Sequence, residues 1–283
     1  MTTTLTPRPV LPAAPLPAAP LLAALTLAAA SMLAACGGGS GGDDGTAGPI
    51  QGKNTVDPAQ LQGRWGSALG GRDPMTAVVV PDSADQASAW ILSHDALTLV
   101  KLTLHSDGNA SGMSYALDES DATGQAQTGQ VTARLAENPP QMALTGLNAR
   151  AAANAAAGAN AGVVAFDQSD AMSTPAVQTD AAGAWRASAG NGSRLIDWTV
   201  SNSGQLTGSH TSTGCTYDGS LLAMTSGNSF NAQFNQSCPG VGAGAAQTIA
   251  FSGIATVNPS KNRMTVVGTS ADDAHAVAIL FQK

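Results

Sequence analysis

Three thiols and four imidazoles are the side chains of this 283-residue chain with the most chemistry to offer. The thiols are Cys36, Cys215 and Cys238; the imidazoles are His94, His105, His210 and His275. Nucleophilic catalysis needs a thiol or hydroxyl held beside a base, and a metal site needs several ligands at a repeating spacing. His94 adjoins Asp95, His105 precedes Asp107, and His275 follows Asp272 and Asp273, yet no His-Glu-x-x-His and no close histidine pair occurs. Strand ends and turns attract these residues anyway, so the four histidines read as solvated polar groups. The acidic run 118–121 lacks the ligand spacing and turn glycine of a calcium loop and reads as a hairpin tip. Residues 240–246 carry the glycines of a phosphate-cradling loop. A strand rather than a helix follows them, so the helix N-terminus that such a loop needs is missing. No Gly-x-Ser-x-Gly elbow is present. The expectation is a protein that is not an enzyme, with no cofactor and no metal.

The placement of Cys36 carries more information. An apolar run, residues 21–33, leads into Leu33-Ala34-Ala35-Cys36, and Gly37–Gly42 follow. The run is shorter than the roughly 20 residues of a membrane-spanning helix and fits the apolar core of a secretory signal. Small residues at Ala34 and Ala35 would let a peptidase approach the backbone, and Cys36 supplies a nucleophile for a thioether-linked lipid. Leu33, Ala34, Ala35 and Cys36 resemble the lipobox of bacterial lipoproteins. That resemblance implies cleavage before Cys36, a diacylated thiol and an acylated amino group. More than one acyl chain makes a stable anchor. Gly37, rather than an aspartate, after the cysteine implies the outer membrane in that family. The Gly/Ser stretch reads as a flexible tether kept solvated by Asp43 and Asp44.

Cys215 and Cys238 then remain as a pair. In an exported chain an even count invites a disulfide. A hairpin folding at Ser226-Gly227 sets Thr225 against Asn228, Tyr217 against Gln236, and Cys215 against Cys238. The sequence thus predicts a bridge between neighbouring strands.

The elements that must position these residues are strands. Runs of Val, Ile, Thr and Leu are split at close spacing by Gly, Asn, Asp and Ser. In residues 97–105, Thr98, Val100, Leu102 and Leu104 share one face, expected to be buried, while Leu97, Leu99, Lys101, Thr103 and His105 share the other. No amphipathic helix is evident. The Ala-rich tract 149–162 has no large apolar side chain to bury and reads as a loop insertion. Residues 102–112 align weakly with 198–208, each a strand, a glycine turn and a strand. Gly63-Arg64-Trp65 and Gly183-Ala184-Trp185 lie upstream. The longer interval in the first copy predicts one extra hairpin there.

These observations predict an all-β protein with two related antiparallel barrel or meander units. The expected organisation is a signal peptide over 1–35 and a lipidated tether over 36–56. A first unit follows over 57–168, then a linker over 169–176 and a second, disulfide-bearing barrel over 177–283. Removing the signal leaves roughly 250 residues, enough for one large or two small domains. Gly-x-Trp opening an eight-stranded meander resembles lipocalins and avidins. Gly214-Cys215-Thr216-Tyr217-Asp218-Gly219, the second cysteine and Phe251-Ser252-Gly253-Ile254-Ala255 resemble a group of proteobacterial outer-membrane lipoproteins with no settled activity. The glycine-rich segment is also similar to that of surface-exported lipoproteins of the transferrin-receptor type.

The chain carries 12 basic against 19 acidic residues, a net charge of −7. An acidic chain with scattered Lys and Arg does not suit nucleic acid. With charged residues at only 11%, the surface must be largely uncharged polar. The expectation is a non-catalytic envelope module held to the outer membrane by lipid, facing periplasm or exterior, with a protein or small-ligand partner. The alternative is a periplasmic small-ligand carrier, for which Gly253, Ala255, Gly268, Ala276 and Ala278 would line a barrel cavity.

Overall fold

A computed structural model describes residues 56–67, 74–121, 123–138, 141–145, 163–192, 195–240 and 245–283. Leu33, Ala34, Ala35, Cys36, the tether and the Ala-rich tract lie outside the described residues. No helix among the described residues is long and apolar enough to cross a membrane.

Alternation of apolar and polar side chains gives most strands one buried face, while β2, β15 and β16 are buried on both. In the first barrel these are β1 (Gly63–Ser67), β2 (Met75–Pro81), β3 (Gln86–Ser93), β4 (Thr98–His105), β5 (Asn109–Ala116), β6 (Gln127–Asn138), β7 (Gln141–Thr145) and β8 (Val163–Asp170). Each pairs antiparallel with the next, and β8 returns to β1, closing the barrel. The second barrel repeats the plan. It comprises β9 (Gly183–Gly190), β10 (Ile196–Val200), β11 (Gln205–His210), β12 (Thr216–Ala223), β13 (Phe230–Cys238), β14 (Gln247–Val257), β15 (Arg263–Ser270) and β16 (Ala276–Gln282), closed by β16 on β9. Closure leaves no unpaired edge for another chain to extend.

Both barrels open on the same device. A 3₁₀ turn, Pro58–Leu61 or Gln178–Asp180, precedes a Gly-x-Trp strand. The buried indole then bonds backward: Trp65 Nε1 donates to Leu61 O at 2.9 Å, and Trp185 Nε1 to Ala181 O at 2.7 Å. Gly63 and Gly183 hold φ of +149° and +121°, conformations that a side chain resists. A Cβ at Gly63 would also stand 2.6 Å from Asp170 O.

The interiors are filled. In the second barrel Trp198 is the hub, with ring centroids 4.7 Å from Phe281, 5.0 Å from Phe234 and 5.6 Å from Tyr217. Phe251 stacks on Phe234 at 5.3 Å. Trp65, Ile91, Leu102, Leu104, Leu144 and Phe166 fill the first barrel.

Five expectations need correction. The aligned segments 102–112 and 198–208 are not equivalent: one is β4–β5, the other β10–β11, the pair directly after the Gly-x-Trp strand. Both barrels have eight strands, so β2–β3 is part of a complete circuit rather than an added hairpin. Glycine turns look alike in sequence, and only closure counts the strands. The outer face of β4 is not a solvent face, because Leu99 is fully buried beside Tyr115 in a third apolar cluster. Ala276 and Ala278 belong to that cluster too and point out of the barrel, not into a cavity. The stretch joining the barrels is strand through Asp170. It is pinned at Met172, whose carbonyl accepts from Gln62 Nε2 (2.9 Å) and Asn228 N (3.0 Å).

Candidate functional site between the barrels

The histidines do not gather. His94 and His105 stand at opposite ends of the β3–β4 region, His210 ends β11, and His275 begins the approach to β16. Among the described residues, no group of His, Cys, Asp or Glu could hold a metal ion. The neighbouring aspartates are turn residues. Asp95 accepts from Leu97 N (3.0 Å), Asp107 from Asn109 N (2.9 Å) and Asp272 from Ala274 N (3.1 Å). Each is the side-chain-to-backbone bond of an Asx turn, two residues on. Asp107 and Asp272 are held below the usual carboxylate range chiefly by those bonds and by Asn109 and Ser270. At Asp95 burial pulls upward, but the Ser93 hydroxyl and Leu97 amide prevail and lower it.

His210 is not a solvated histidine. It is 3% exposed, and its Nδ1 accepts from Ser212 N and Thr213 N, both at 3.4 Å. Burial lowers its pKa, so a neutral ring organises the β11–β12 turn. The run 118–121 forms an exposed turn after β5, as expected of a hairpin tip. Residues 241–244 of the glycine-rich run lie outside the described residues, and Gln247–Val257 after them is strand. Cys215 and Cys238 are joined as a disulfide, with Tyr217 opposite Gln236 in the same register. Asn191, 3% exposed, uses its amide as an extra rung: Nδ2 donates to Ala276 O (3.0 Å), and Oδ1 accepts from Ala278 N (2.8 Å).

What sequence reasoning missed lies where the barrels meet. The outward row Arg64–Val78–Trp90–Lys101 crosses β1 to β4 in register. The rows Ile254–Val267–Ala278 and Thr256–Thr265–Leu280 cross β14 to β16. Val78, Trp90, Leu99 and Tyr115 pack against Ile254, Val267, Ala276 and Ala278. Polar bonds fix the seam at one side. Tyr115 Oη donates to Asp273 Oδ1 at 2.6 Å, and Lys101 Nζ donates to Thr269 Oγ1 at 3.4 Å. That ammonium also sits 5.1 Å from the centre of the Trp90 ring.

On the other side the surfaces diverge and leave a cleft of about 290 Å³. Val78, Trp90 and Leu92 form one wall; Ile254, Val267 and Leu280 form the other. Thr76, Ser93, Thr256 and Thr265 add hydroxyls, and among the described residues Arg64 and His94 are the ionisable groups of its lining. Two described carboxylates nearby have backbone or hydroxyl partners of their own. Asp95 is tied to Ser93 Oγ and Leu97 N, and Asp170, opposite Arg64 on β8, accepts from Met172 N at 2.9 Å. The ion pairs among the described residues, Arg186–Asp197 and Lys261–Asp180, do not involve Arg64. Two other hollows lined by described residues, beside Glu119 and His210 and beside Leu97 and Asp118, are more open surface depressions.

A single sequence signal pointed toward the cleft: Trp90 and Leu92 are large apolar residues on the strand face opposite Ala89 and Ile91. Nothing in one strand shows that the face meets a second barrel. Comparison with protein-family models, with curated proteins and with solved structures returns no match in any of the three.

Proposed function

We propose that the protein is a lipid-anchored binding module of the bacterial envelope, with no bond-breaking chemistry of its own. Cleavage before Cys36 and acylation of that residue, by palmitate among other chains, would fix it to the outer membrane. The Gly/Ser tether would hold the two barrels off the lipid surface, on the periplasmic or the external side. The observation that carries the binding reading is the cleft at the seam. It is a concave apolar surface framed by two rigid sheets, with few polar groups to orient a ligand. The non-catalytic reading is supported by how the polar side chains are spent. His210, Asn191, Tyr115 and Asp273 each hold a turn, a strand or the seam.

The alternative, a lipocalin-like carrier with its ligand inside a barrel, has less support. A ligand there would have to displace Trp198, Phe234, Phe251 and Phe281, which already fill the space. The test is mass spectrometry of the mature N-terminus together with protease shaving of intact cells. A peptide beginning at an acylated Cys36 is expected, and an unmodified Cys36 would overturn the anchor. Degradation by external protease, with a periplasmic control intact, would assign the barrels to the cell surface; protection would assign them to the periplasm.

A further inference from the structure

We infer that the seam cleft binds an amphipathic anion: an unbranched apolar body of about ten carbons ending in a carboxylate. The inference rests on the binding-module reading and names the ligand class for its cleft. The walls supply the apolar half of the match. Val78, Trp90 and Leu92 face Ile254, Val267 and Leu280 across the gap, and no core residue of either barrel needs to move to admit a chain. At about 30 Å³ for a group the size of one water, a volume near 290 Å³ holds roughly ten methylene-sized groups.

The charge supplies the other half. The chain is acidic, at −7, yet among the described residues no carboxylate lines this cleft, and the ionisable ones that do are Arg64 and His94. Arg64 is half-buried on β1 and lines the cleft beside its register partner Val78. A guanidinium in that position offers the fork of donors that a carboxylate accepts. Thr76, next on the same face of β2 as Val78, adds a hydroxyl to the same lining. A cation would meet like charge there, and a fully apolar molecule would leave the guanidinium unanswered. The same chemistry belongs to a free fatty acid and to a carboxylate presented on a larger envelope molecule.

The test uses the full chain carrying Cys36→Ser, so that neither detergent nor an attached acyl chain competes for the cleft. Isothermal titration with decanoate is expected to saturate at one site with a Kd on the order of 100 μM. Decyltrimethylammonium and decanol should each bind at least about tenfold more weakly. Arg64→Gln should weaken decanoate about tenfold, as loss of one charge-assisted hydrogen bond implies, while leaving decanol unchanged. Val267→Trp, which fills the gap from the second barrel, should abolish both. Near-UV circular dichroism establishes that each variant keeps its packed aromatic residues. Absence of saturation by 10 mM decanoate would overturn the inference. So would equal binding of the cationic probe, or an affinity indifferent to both substitutions. Any of these leaves the anchor untouched, since acylation of Cys36 is read separately in the wild-type protein. If decanoate binds, the next competitor is a short acidic lipid presented in phosphatidylcholine vesicles. Competition by the vesicles favours an envelope source, and its absence a free acid.

Discussion

Tyr115 and Tyr217 are the two tyrosines of the chain, and neither behaves as a surface phenol. Burial raises the pKa of Tyr115 well above the ordinary value of 10.0, and the carboxylate of Asp273, which accepts its hydrogen bond, adds to the effect. Burial alone raises that of Tyr217, which is 3% exposed within the second barrel. The sign follows from linkage. Between the unfolded and folded pKa values the unfolded chain has lost its phenolic protons while the folded chain keeps them. Stability from both groups is therefore complete below pH 10 and declines as pH rises above it. Spectrophotometric titration at 295 nm should show no phenol ionising near pH 10 in the folded protein. Ionisation should come only at higher pH, together with loss of the near-UV circular dichroism signal. A normal titration of one phenol with the fold intact would contradict the burial. Tyr115→Phe removes a seam bond to a charged acceptor. It should cost about 1.5–3 kcal/mol in chemical denaturation, as hydrogen bonds to charged groups do.

At the level of elements, the hairpin β12–β13 shows what a sequence can reveal. A turn at Ser226-Gly227 and period-two counting place Tyr217 opposite Gln236, and the structure has that pairing and the disulfide it implies. The closed loop spans 23 positions. Replacing both cysteines by alanine should therefore lower stability by about 3 kcal/mol in urea. Thiol titration of the unreduced protein should find neither Cys215 nor Cys238 reactive. The Gly-x-Trp strands were legible for the same local reason, although their role was not. That the indole bonds back to Leu61 O or Ala181 O depends on a 3₁₀ turn that no periodicity announces. Gly63→Ala should cost more than about 2 kcal/mol, because it forces a side chain into positive φ and against Asp170 O. Beyond a single hairpin the local signals fail. The repeat was aligned one hairpin out of step because β4–β5 and β10–β11 are both strand, glycine turn, strand. Nothing local distinguishes the second strand of a barrel from the fourth.

The whole molecule adds what neither residues nor hairpins disclose: two closed barrels whose outer faces are apolar where they touch. Leu99, Trp90 and Val78 sit at positions that alternation assigns to solvent, yet they are buried against Ile254, Val267, Ala276 and Ala278. The outer surface of one barrel makes sense only beside the other, and the cleft exists only because both are present. Interfaces between domains are ordinarily polar and loose. This one combines a continuous apolar cluster with the Tyr115–Asp273 and Lys101–Thr269 bonds. The two barrels should therefore unfold as one cooperative unit, giving a single transition in calorimetry despite two separate interiors. Leu99→Asp places an unpaired carboxylate in the seam while leaving the interior face of β4 unaltered. It should cost at least about 3 kcal/mol of coupling and split the transition into two, one for each barrel. Leu102→Ala, on the inward face of the same strand, should instead create a cavity in the first barrel and lower the transition without dividing it. Two transitions in the unaltered chain would show that the seam contributes little, and the cleft would then open and close with the motion of the barrels. A single transition that divides only when the seam is charged would show that the cleft is a fixed feature of the folded protein, able to select a ligand by shape.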